Sequence, residues 1–255
     1  MISKKGLYKK LVIDHFDKAV CSNYYDIVVA RRKEYNAAVD AIVVQYLKMI
    51  EARMHLDAGC GTGIRALHYE KSIAGLQLTG IDISPKMVLR SKQNGLLDVH
   101  CGSIEKMGYK SASFDSITCL FFVLCYLSSW KERLSAIREL SRVLKAGGIL
   151  FIDCIMRSHN GEANEYFQNG FQKTTECLQA IKDGRLPSDK VYSVRYPDGT
   201  TAHNYFHVYK EWELYFLFRL AGLKVIDKHV IGYNSGIEYA EKKRGQRLFI
   251  LQKSK

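Results

Sequence analysis

The sequence has few of the features that define several large classes of protein. It contains only three prolines in 255 residues, no internal repeat and no Pro/Gly/Ser-rich linker, whereas apolar residues make up an ordinary 47%. This composition excludes a collagen-like chain and extensive disorder. The longest apolar run, Ile117 to Leu127, is far too short to span a bilayer, and the N-terminal lysines precede no signal-peptide core. We therefore expect a single domain over residues 1–255, cytoplasmic and without a membrane partner.

The cysteines and histidines lack the spacings of disulfide frameworks and metal sites. The seven cysteines are an odd number and no two are spaced C-x-x-C, and the eight histidines show no H-E-x-x-H pattern. We expect free thiols in a reducing compartment and no metal.

Negative charge is in deficit: 38 Lys and Arg stand against 26 Asp and Glu, a net charge of +12. Such an excess raises nucleic acid, an anionic membrane or an acidic substrate as partners. The excess is spread over both termini and the central region, whereas residues 151–223 are slightly acidic. The charge thus leaves RNA open as a partner without favouring it.

Short apolar runs alternate with helical stretches between residues 53 and 154. This alternation predicts an α/β fold with a mostly parallel sheet that is covered by helices on both faces. The predicted strands are Met54–Asp57, Leu76–Asp82, Asp98–Cys101, Ser116–Phe121 and Ile149–Cys154, and the predicted helices are Thr62–Ser72, Pro85–Asn94 and Trp130–Leu144. Residues 145–148, with two glycines, are predicted as the C-terminal cap of the last of these helices.

The two ends of the chain follow a different pattern. The first 50 residues indicate helices, residues 157–209 are polar and aromatic, and Lys210–Gly222 is predicted as an amphipathic helix. Two final strands, Leu223–Ile231 and Gln246–Gln252, are predicted to form an antiparallel edge of the sheet.

The most informative stretch is M-H-L-D-A-G-C-G-T-G, residues 54–63. A predicted strand ends at Asp57, and Gly59, Gly61 and Gly63 follow before a helix. Glycines at such a turn let the backbone approach a ligand closely, and a helix N-terminus offers unpaired N–H groups. Asp82 ends the second predicted strand, where a carboxylate can hold ribose hydroxyls.

The spacing of the glycines distinguishes between nucleotide cofactors. A dinucleotide fingerprint needs G-x-G-x-x-G, but here the third glycine comes one place early and Ile64 follows it. No G-x-x-x-x-G-K-[ST] sequence occurs, which excludes a P-loop. The acidic Asp57 ahead of the glycines suits an ammonium group better than a pyrophosphate.

The set D-x-G-x-G-x-G followed by I-D-I-S resembles the class I (Rossmann-like) S-adenosylmethionine-dependent methyltransferases, in their type-11-like small-molecule branch. Further stretches are similar to segments of this family: Phe16-Asp17 with Tyr25-Asp26, Phe114-Asp115, residues 138–148, and residues 205–214 followed by Ala221-Gly222-Leu223. The resemblance implies a seven-stranded, mostly parallel sheet with an antiparallel last strand. It also implies a helical N-terminal cover over residues 1–50 and a substrate lid inserted after the fifth strand at residues 157–209.

The resemblance implies S-adenosyl-L-methionine as cofactor, S-adenosyl-L-homocysteine as product, and a role for each motif position. Asp57 would face the amino group of the methionine moiety, directly or through water. The floor of the site would be shaped by Gly59, Gly61 and Gly63, and Asp82 would bind the ribose hydroxyls.

Other positions would complete the cofactor site. Ile83 would pack on the adenine, and Ser103 and Ile104 would follow the third strand, where Ser103 stands at a position that is often acidic in the family. Leu120 and Phe121, leaving the fourth strand, would lie near the methionine chain.

Residues of the N-terminal cover and of the lid are candidates for closing the site and for catalysis. Tyr25 and Arg31 are expected to close over the cofactor. A general base is needed only if the acceptor arrives protonated. The candidates for that role are Tyr25, Tyr205 and His207, with Asp153 and His159 near the strand ends.

Three functions remain compatible with these residues. The first is methyl transfer to a nitrogen or oxygen of a small-molecule acceptor by in-line displacement. The alternative is a tRNA or other RNA methyltransferase that uses the basic surface, because residues 205–214 also resemble a segment of tRNA wobble-uridine methyltransferases. A catalytically silent, cofactor-binding partner subunit is the third, although the intact acidic and glycine positions argue against it. The sequence identifies neither the acceptor nor the oligomeric state.

Overall fold

A computed structural model describes residues 4–156, 188–240 and 245–254, and the side chains from residue 6 onward. The strands are β1 Met54–Ala58, β2 Gln77–Asp82, β3 Val99–Cys101, β4 Phe114–Cys119, β5 Leu144–Cys154, β6 Asp189–Arg195, β7 Thr201–His207, β8 Leu223–Ile231 and β9 Gln246–Lys253. The α-helices are α1 Lys4–Cys21, α2 Tyr24–Arg31, α3 Lys33–Met49, α4 Ile64–Ser72, α5 Pro85–Gln93, α6 Trp130–Val143 and α7 Glu211–Leu220. A single 3₁₀ turn covers Val123–Tyr126.

Seven strands form one sheet in the order β3-β2-β1-β4-β5-β9-β8. Strands β1 to β5 pair in parallel, and β9 runs antiparallel to both of its neighbours. The predicted α/β fold, with its mostly parallel sheet and antiparallel last strand, is confirmed. The order reverses between β1 and β4, so the carboxyl ends of these two strands open a crevice, which is where ligands bind in open α/β sheets.

Local sequence signals explain several element boundaries. Ser84 caps α5 by accepting a hydrogen bond from the backbone N–H of Met87, and Pro85 occupies the first turn. Ser129 and Glu132 form a reciprocal capping box at the start of α6. These caps fix where the helices that follow β2 and β4 begin.

The prediction of a helix cap over residues 145–148 is wrong. Helix α6 ends at Val143, and β5 begins at once with Leu144, which pairs with Phe114. A register shift between Phe114 and Ser116 accommodates the extra residues as a bulge, with Gly147 at φ +76°. The glycines therefore serve a strand irregularity rather than the end of a helix.

The N-terminal helices and a β-hairpin cover the carboxyl end of the sheet. Helix α1 packs against α5 and β7, and α3 buries one stripe of Tyr35, Val39, Val43 and Leu47. Strands β6 and β7 pair antiparallel as a separate two-stranded sheet. The predicted lid over residues 157–209 falls partly on these strands, whereas residues 157–187, including His159, lie outside the described part of the chain.

None of the helices within the described residues is long and apolar enough to cross a membrane. The six cysteines in that part of the chain are free thiols, and Cys177 lies outside it.

Candidate active site

The glycine loop after β1 is held against the end of β2. The N–H groups of Gly59 and Cys60 both donate to the carbonyl of Ile81, at 2.7 and 3.1 Å. The N–H of Gly61 donates to Asp82 Oδ2 at 2.9 Å. Gly59 adopts φ +86°, and a Cβ there would lie 2.3 Å from Val123 Cγ2, so that only glycine fits this turn. The loop thus presents bare backbone to the crevice.

A cleft of about 850 Å³, which includes space open to solvent, lies over this loop. Most of the residues predicted for cofactor binding line it: Tyr25, Gly59, Gly61, Asp82, Ile83, Ser103, Ile104, Leu120 and Phe121. Asp82 is half-buried there, and its Oδ1 accepts from the N–H of Ser84 at 2.9 Å. One carboxylate therefore joins the glycine loop to the start of α5 at the floor of the cleft.

Three of the predicted residues do not line the cleft. Asp57 lies beneath the glycine loop and is only 3% exposed. Gly63, at φ +76°, precedes the first turn of α4, and a Cβ there would meet Ser91 Oγ at 2.5 Å, so its role is in packing. Arg31 is exposed at the end of α2, and no described cavity is lined by it. Its expected closure over the cofactor stays a prediction.

Asp57 ends a buried chain of hydrogen bonds on one face of the sheet. Thr118 Oγ1 donates to Asp57 Oδ1 at 2.8 Å, and His55 Nε2 lies 3.0 Å from the same hydroxyl. Ser116 Oγ lies 2.8 Å from His55 Nδ1 at the far end. Because a threonine hydroxyl has one proton, His55 Nε2 must donate to Thr118 when Thr118 donates to Asp57. Burial lowers the pKa of His55 to about 3, which keeps this ring neutral.

The two carboxylates of the site hold their protons more strongly than ordinary aspartates. Burial raises the pKa of Asp57 to about 6, against a smaller lowering by the Thr118 hydrogen bond. Burial likewise raises the pKa of Asp82 to about 6, against the lowering by hydrogen bonds from Ser84 and Gly61. Both groups would be stabilised in their ionised form by a cation or hydroxyl donors placed in the cleft.

Arg65, which the sequence analysis did not single out, supplies positive charge beneath the site. Its Nε lies 2.9 Å from Asp40 Oδ1, and its Nη2 donates to Asn36 Oδ1 at 2.7 Å. Its charge lowers the pKa of Asp57. Burial acts to lower the pKa of Arg65 itself, but the negative charge of Asp40 and other neighbours outweighs this and raises it. Its position just after the glycine motif was the available sequence signal.

The turn after β4 carries backbone strain at the mouth of the cleft. Phe121 and Phe122 both have positive φ, at 61° and 67°, which is costly for residues with a side chain. The N–H of Phe122 donates to Asp153 Oδ1 at 2.8 Å, and Tyr35 donates its hydroxyl to Asp153 Oδ2 at 2.9 Å. Asp153, a predicted candidate base, is fully buried in this clamp and holds the strained turn.

A second, aromatic cavity adjoins the first. It encloses about 1730 Å³ including space open to solvent, and Phe16, Tyr25, Phe121 and Tyr126 line both cavities. Its other walls come from α1, α2, the turn after β4, the β6–β7 hairpin and the loop after β8. The residues of these walls that carry rings are His15, Tyr24, Phe122, Tyr192, Phe206 and Tyr233. Tyr25 stands at the junction, and burial raises its pKa, so that its hydroxyl stays protonated.

Tyr205 and His207 lie elsewhere, in a buried polar cluster around Asp189. Tyr205 donates to Asp189 Oδ1 at 2.7 Å, and His207 Nδ1 lies 2.7 Å from the same oxygen. Arg133 Nη2 completes the cluster, donating to the Tyr205 hydroxyl at 2.9 Å. Neither Tyr205 nor His207 lines the two cavities, so these two predicted candidates fasten the hairpin to α6.

Another acidic residue, missed in the sequence analysis, lines the first cleft. Ser103 Oγ donates to Glu105 Oε2 at 3.0 Å, and Glu105 lies on the cleft wall two residues beyond the position where an acid was sought.

Comparison with known proteins agrees with this architecture. Residues 56–152 match the family model described as "Methyltransferase domain". Together with the sheet order and the glycine loop, this match shows that residues 56–152 form a methyltransferase domain, and it agrees with the class that the sequence predicts.

Three individual proteins indicate the range of relatives. The chain is 26% identical over 217 residues to the cypemycin N-terminal methyltransferase of a Streptomyces species, covering 80% of this chain and 84% of that protein. It is 30% identical over 131 residues to a malonyl-[acyl-carrier protein] O-methyltransferase of Herminiimonas arsenicoxydans, a match that spans 51% of this chain and 46% of the relative. The fold resembles that of S-adenosylmethionine-bound CalS10, an amino pentose methyltransferase of Micromonospora echinaspora, with a TM-score of 0.62, 18% identity and coverage of 91% and 97% of the two chains. The prediction of S-adenosylmethionine as cofactor is confirmed at the level of the family.

Proposed function

We propose that this protein transfers the methyl group of S-adenosylmethionine to a nitrogen or oxygen of a small-molecule acceptor. The observation that carries the proposal is the pair of adjoining cavities. One contains the glycine loop and Asp82, the other is aromatic, and they meet at Tyr25 and Phe121. A donor in one cavity and an acceptor in the other would be held in line across that junction, which is the main requirement of a displacement reaction.

The residues of the first cleft fit the chemical groups of the methyl donor. Asp82 would accept hydrogen bonds from the ribose hydroxyls, and Ile83 and Ile104 would pack on the adenine. Glu105 would offer an acceptor to the exocyclic amine of the base. Asp57 would act from beneath the glycine loop on the ammonium group, through the loop or a water. The raised pKa values of Asp57 and Asp82 support this assignment, because both carboxylates lie where a cationic ligand would favour their ionised form.

When bound, S-adenosylmethionine would supply an electrophilic methyl group on a good sulfonium leaving group. The protein's own contribution is then alignment and the exclusion of water. Phe121 and Tyr126 supply apolar surface at the junction, and Asp153 holds the strained turn that carries Phe121 in place.

The nature of the second cavity supports a small acceptor rather than an RNA. Its aromatic walls are typical of a pocket that buries most of a small ligand. One relative is named as an N-terminal methyltransferase and another as an O-methyltransferase, which supports keeping both nitrogen and oxygen as acceptor atoms.

The free thiols among the described cysteines support the cytoplasm as the compartment.

The proposal is tested by binding and by transfer. Calorimetry should show S-adenosylmethionine binding to the wild-type protein, and Asp82→Asn should weaken it by at least about 10-fold, since a hydrogen-bonded carboxylate contributes roughly 1.5–3 kcal/mol. Glu70→Gln, which changes an exposed carboxylate on α4, is the matched control and should bind normally. Tritium from labelled methyl donor should enter small molecules of a filtered cell extract but not total tRNA. Failure of the wild-type protein to bind the donor would overturn the proposal, and transfer to tRNA alone would replace the acceptor class.

A further inference from the structure

A histidine on α1 lies on the wall of the aromatic cavity. His15 is 5% exposed and lines the cavity together with Phe16 and Tyr25. It immediately precedes the Phe16-Asp17 pair of the N-terminal cover. Asp17 accepts hydrogen bonds from the Ser84 hydroxyl and from the backbone N–H of Lys86, which docks α1 on the N-terminus of α5. The position of His15 over the cavity is therefore set by the element that also closes the first cleft.

The ring of His15 is oriented by Tyr196, at the start of the turn between β6 and β7. The Tyr196 hydroxyl oxygen lies 2.7 Å from His15 Nδ1 and 3.2 Å from the backbone carbonyl oxygen of His15. A phenol has one proton, so it can donate to the carbonyl while accepting from Nδ1–H. Burial raises the pKa of Tyr196 to about 12, which keeps that proton on the phenol. In this arrangement the lone pair of the histidine is on Nε2.

His15 Nε2 accepts no hydrogen bond from any residue that the structure describes. A ring nitrogen that belongs to a nine-tenths buried side chain and lines a cavity is open to a ligand in that cavity. The same pair of contacts that fixes Nδ1 thus leaves Nε2 for an acceptor molecule.

Burial keeps the ring of His15 neutral, and the charged groups near it are few. Burial lowers the pKa of His15 to about 4. The cations nearby are Lys18, whose Nζ lies 5.3 Å from the centre of the Tyr196 ring, and Arg32 and Lys190 on the cavity wall. The remaining titratable groups of that wall are Tyr24, Tyr25, Tyr126, Tyr192 and Tyr233, and no carboxylate among the described residues lines the cavity. Such an imidazole is unprotonated at neutral pH, so the lone pair of Nε2 is free to accept a hydrogen bond from a ligand.

We propose that His15 is the general base of this enzyme and that Tyr196 is the residue that positions it. The inference rests on the proposed methyl transfer. The acceptor N or O forms a bond to the methyl carbon as the carbon–sulfur bond breaks and its electron pair returns to sulfur. The acceptor's proton passes to His15 Nε2 and then to solvent. Tyr25, whose raised pKa keeps it protonated at the junction, cannot take that proton, and His207 has both ring nitrogens near carboxylates, Asp189 and Glu213.

The test compares His15→Asn with the wild-type protein. Asparagine places a polar atom near the Nδ1 position, so the contact with Tyr196 is retained while the base is removed. Labelled S-adenosylmethionine is supplied with a filtered cell extract and a mixture of small amines and phenols, and tritium transfer is measured. We expect His15→Asn to lose about 100-fold or more of the transfer rate, the usual contribution of a general base, while donor affinity by calorimetry stays within about 2-fold. Tyr196→Phe should lose about 10-fold or less, because the histidine remains but is less well oriented.

Chemical rescue separates a base from a packing residue. Imidazole added to His15→Ala should restore transfer several-fold, in proportion to its concentration, and should leave the control His68→Ala, a change at an exposed histidine, unaffected. Transfer by His15→Asn within about 3-fold of wild type, or the absence of rescue, would overturn the assignment of His15. If the wild-type protein binds the donor and transfers nothing, the methyl-transfer proposal itself is overturned.

Discussion

The affinity for S-adenosylmethionine should fall steeply as the pH is lowered through 6. The perturbation is protonation of Asp57 and Asp82, whose pKa values burial raises to about 6 in the free protein. A ligand with an ammonium group and ribose hydroxyls favours the ionised carboxylates. The free protein must therefore lose these protons before it binds tightly, and binding releases protons between about pH 5 and 7.

The expected size follows from the two pKa values. One unit below its pKa, each carboxylate is about one-tenth ionised, so each weakens binding about 10-fold at pH 5 relative to pH 7.5. Both together would weaken it roughly 100-fold, which corresponds to about 2.8 kcal/mol. Near pH 6 each group is half protonated, so that about one proton in total should be released per bound ligand.

Calorimetry measures both quantities. The dissociation constant is determined at several pH values between 5 and 7.5, and the proton release is obtained from the heat in buffers of different ionisation enthalpy. Asp57→Asn and Asp82→Asn should each bind more weakly at pH 7.5, with about half of the pH dependence removed. Glu70→Gln should keep the wild-type curve.

A dissociation constant that stays within about 3-fold from pH 7.5 to pH 5, with no proton release, would refute the reasoning. It would mean that the two carboxylates ionise normally in the free protein, or that neither of them faces the ligand.

Three further substitutions test how the site is held together. Thr118→Val removes the hydroxyl that links Asp57 to His55. Urea denaturation should show a free energy of unfolding lower by about 2–4 kcal/mol, because the hydrogen bond to the Asp57 carboxylate is lost and the His55 N–H is left buried without a partner. A decrease in the free energy of unfolding below about 0.5 kcal/mol would show that this series of hydrogen bonds does not stabilise the fold. Gly59→Ala should lower the free energy of unfolding by about 2–5 kcal/mol, because φ is positive and the added methyl group would overpack against Val123. Gly199→Ala, at φ +81° with open space around it, should lower it by only about 1–2 kcal/mol. Equal losses would contradict the close approach of Val123 to Gly59. Asp17→Ala should speed hydrogen exchange of α1 and reduce transfer with little change in melting temperature, and unchanged exchange would show that α1 is docked by other contacts.

Several features of the fold followed from local sequence. The predicted helix Pro85–Asn94 corresponds to α5, and the alternation of apolar runs predicted the strands of the parallel sheet. The spacing of Gly59 and Gly61 predicted a loop that approaches a ligand. These features are local because the steric limits on a short backbone segment and the hydrogen bonds of one helix end involve only neighbouring residues.

Boundaries depended on partners that are distant in sequence. The glycines of residues 145–148 indicate a helix cap when taken alone. Only pairing with β4 makes Leu144 the first residue of a strand and Gly147 part of a bulge. Likewise, the motif placed Asp57 at the cofactor, and only the tertiary structure shows it buried beneath the loop at the end of a polar chain.

The catalytic candidates show the same division most clearly. Tyr205 and His207 are polar residues in an aromatic stretch, and the sequence alone cannot distinguish a lid that faces the substrate from a strand fastened to a helix. His15 and Tyr196 are 181 positions apart, yet their side chains meet at 2.7 Å beside the aromatic cavity. The sequence by itself predicted the class of protein, because the glycine loop that carries the resemblance is a local backbone structure. Which side chains meet at the cavities was decided by tertiary structure, because burial, charge and hydrogen bonding at each group are set by packing between remote segments.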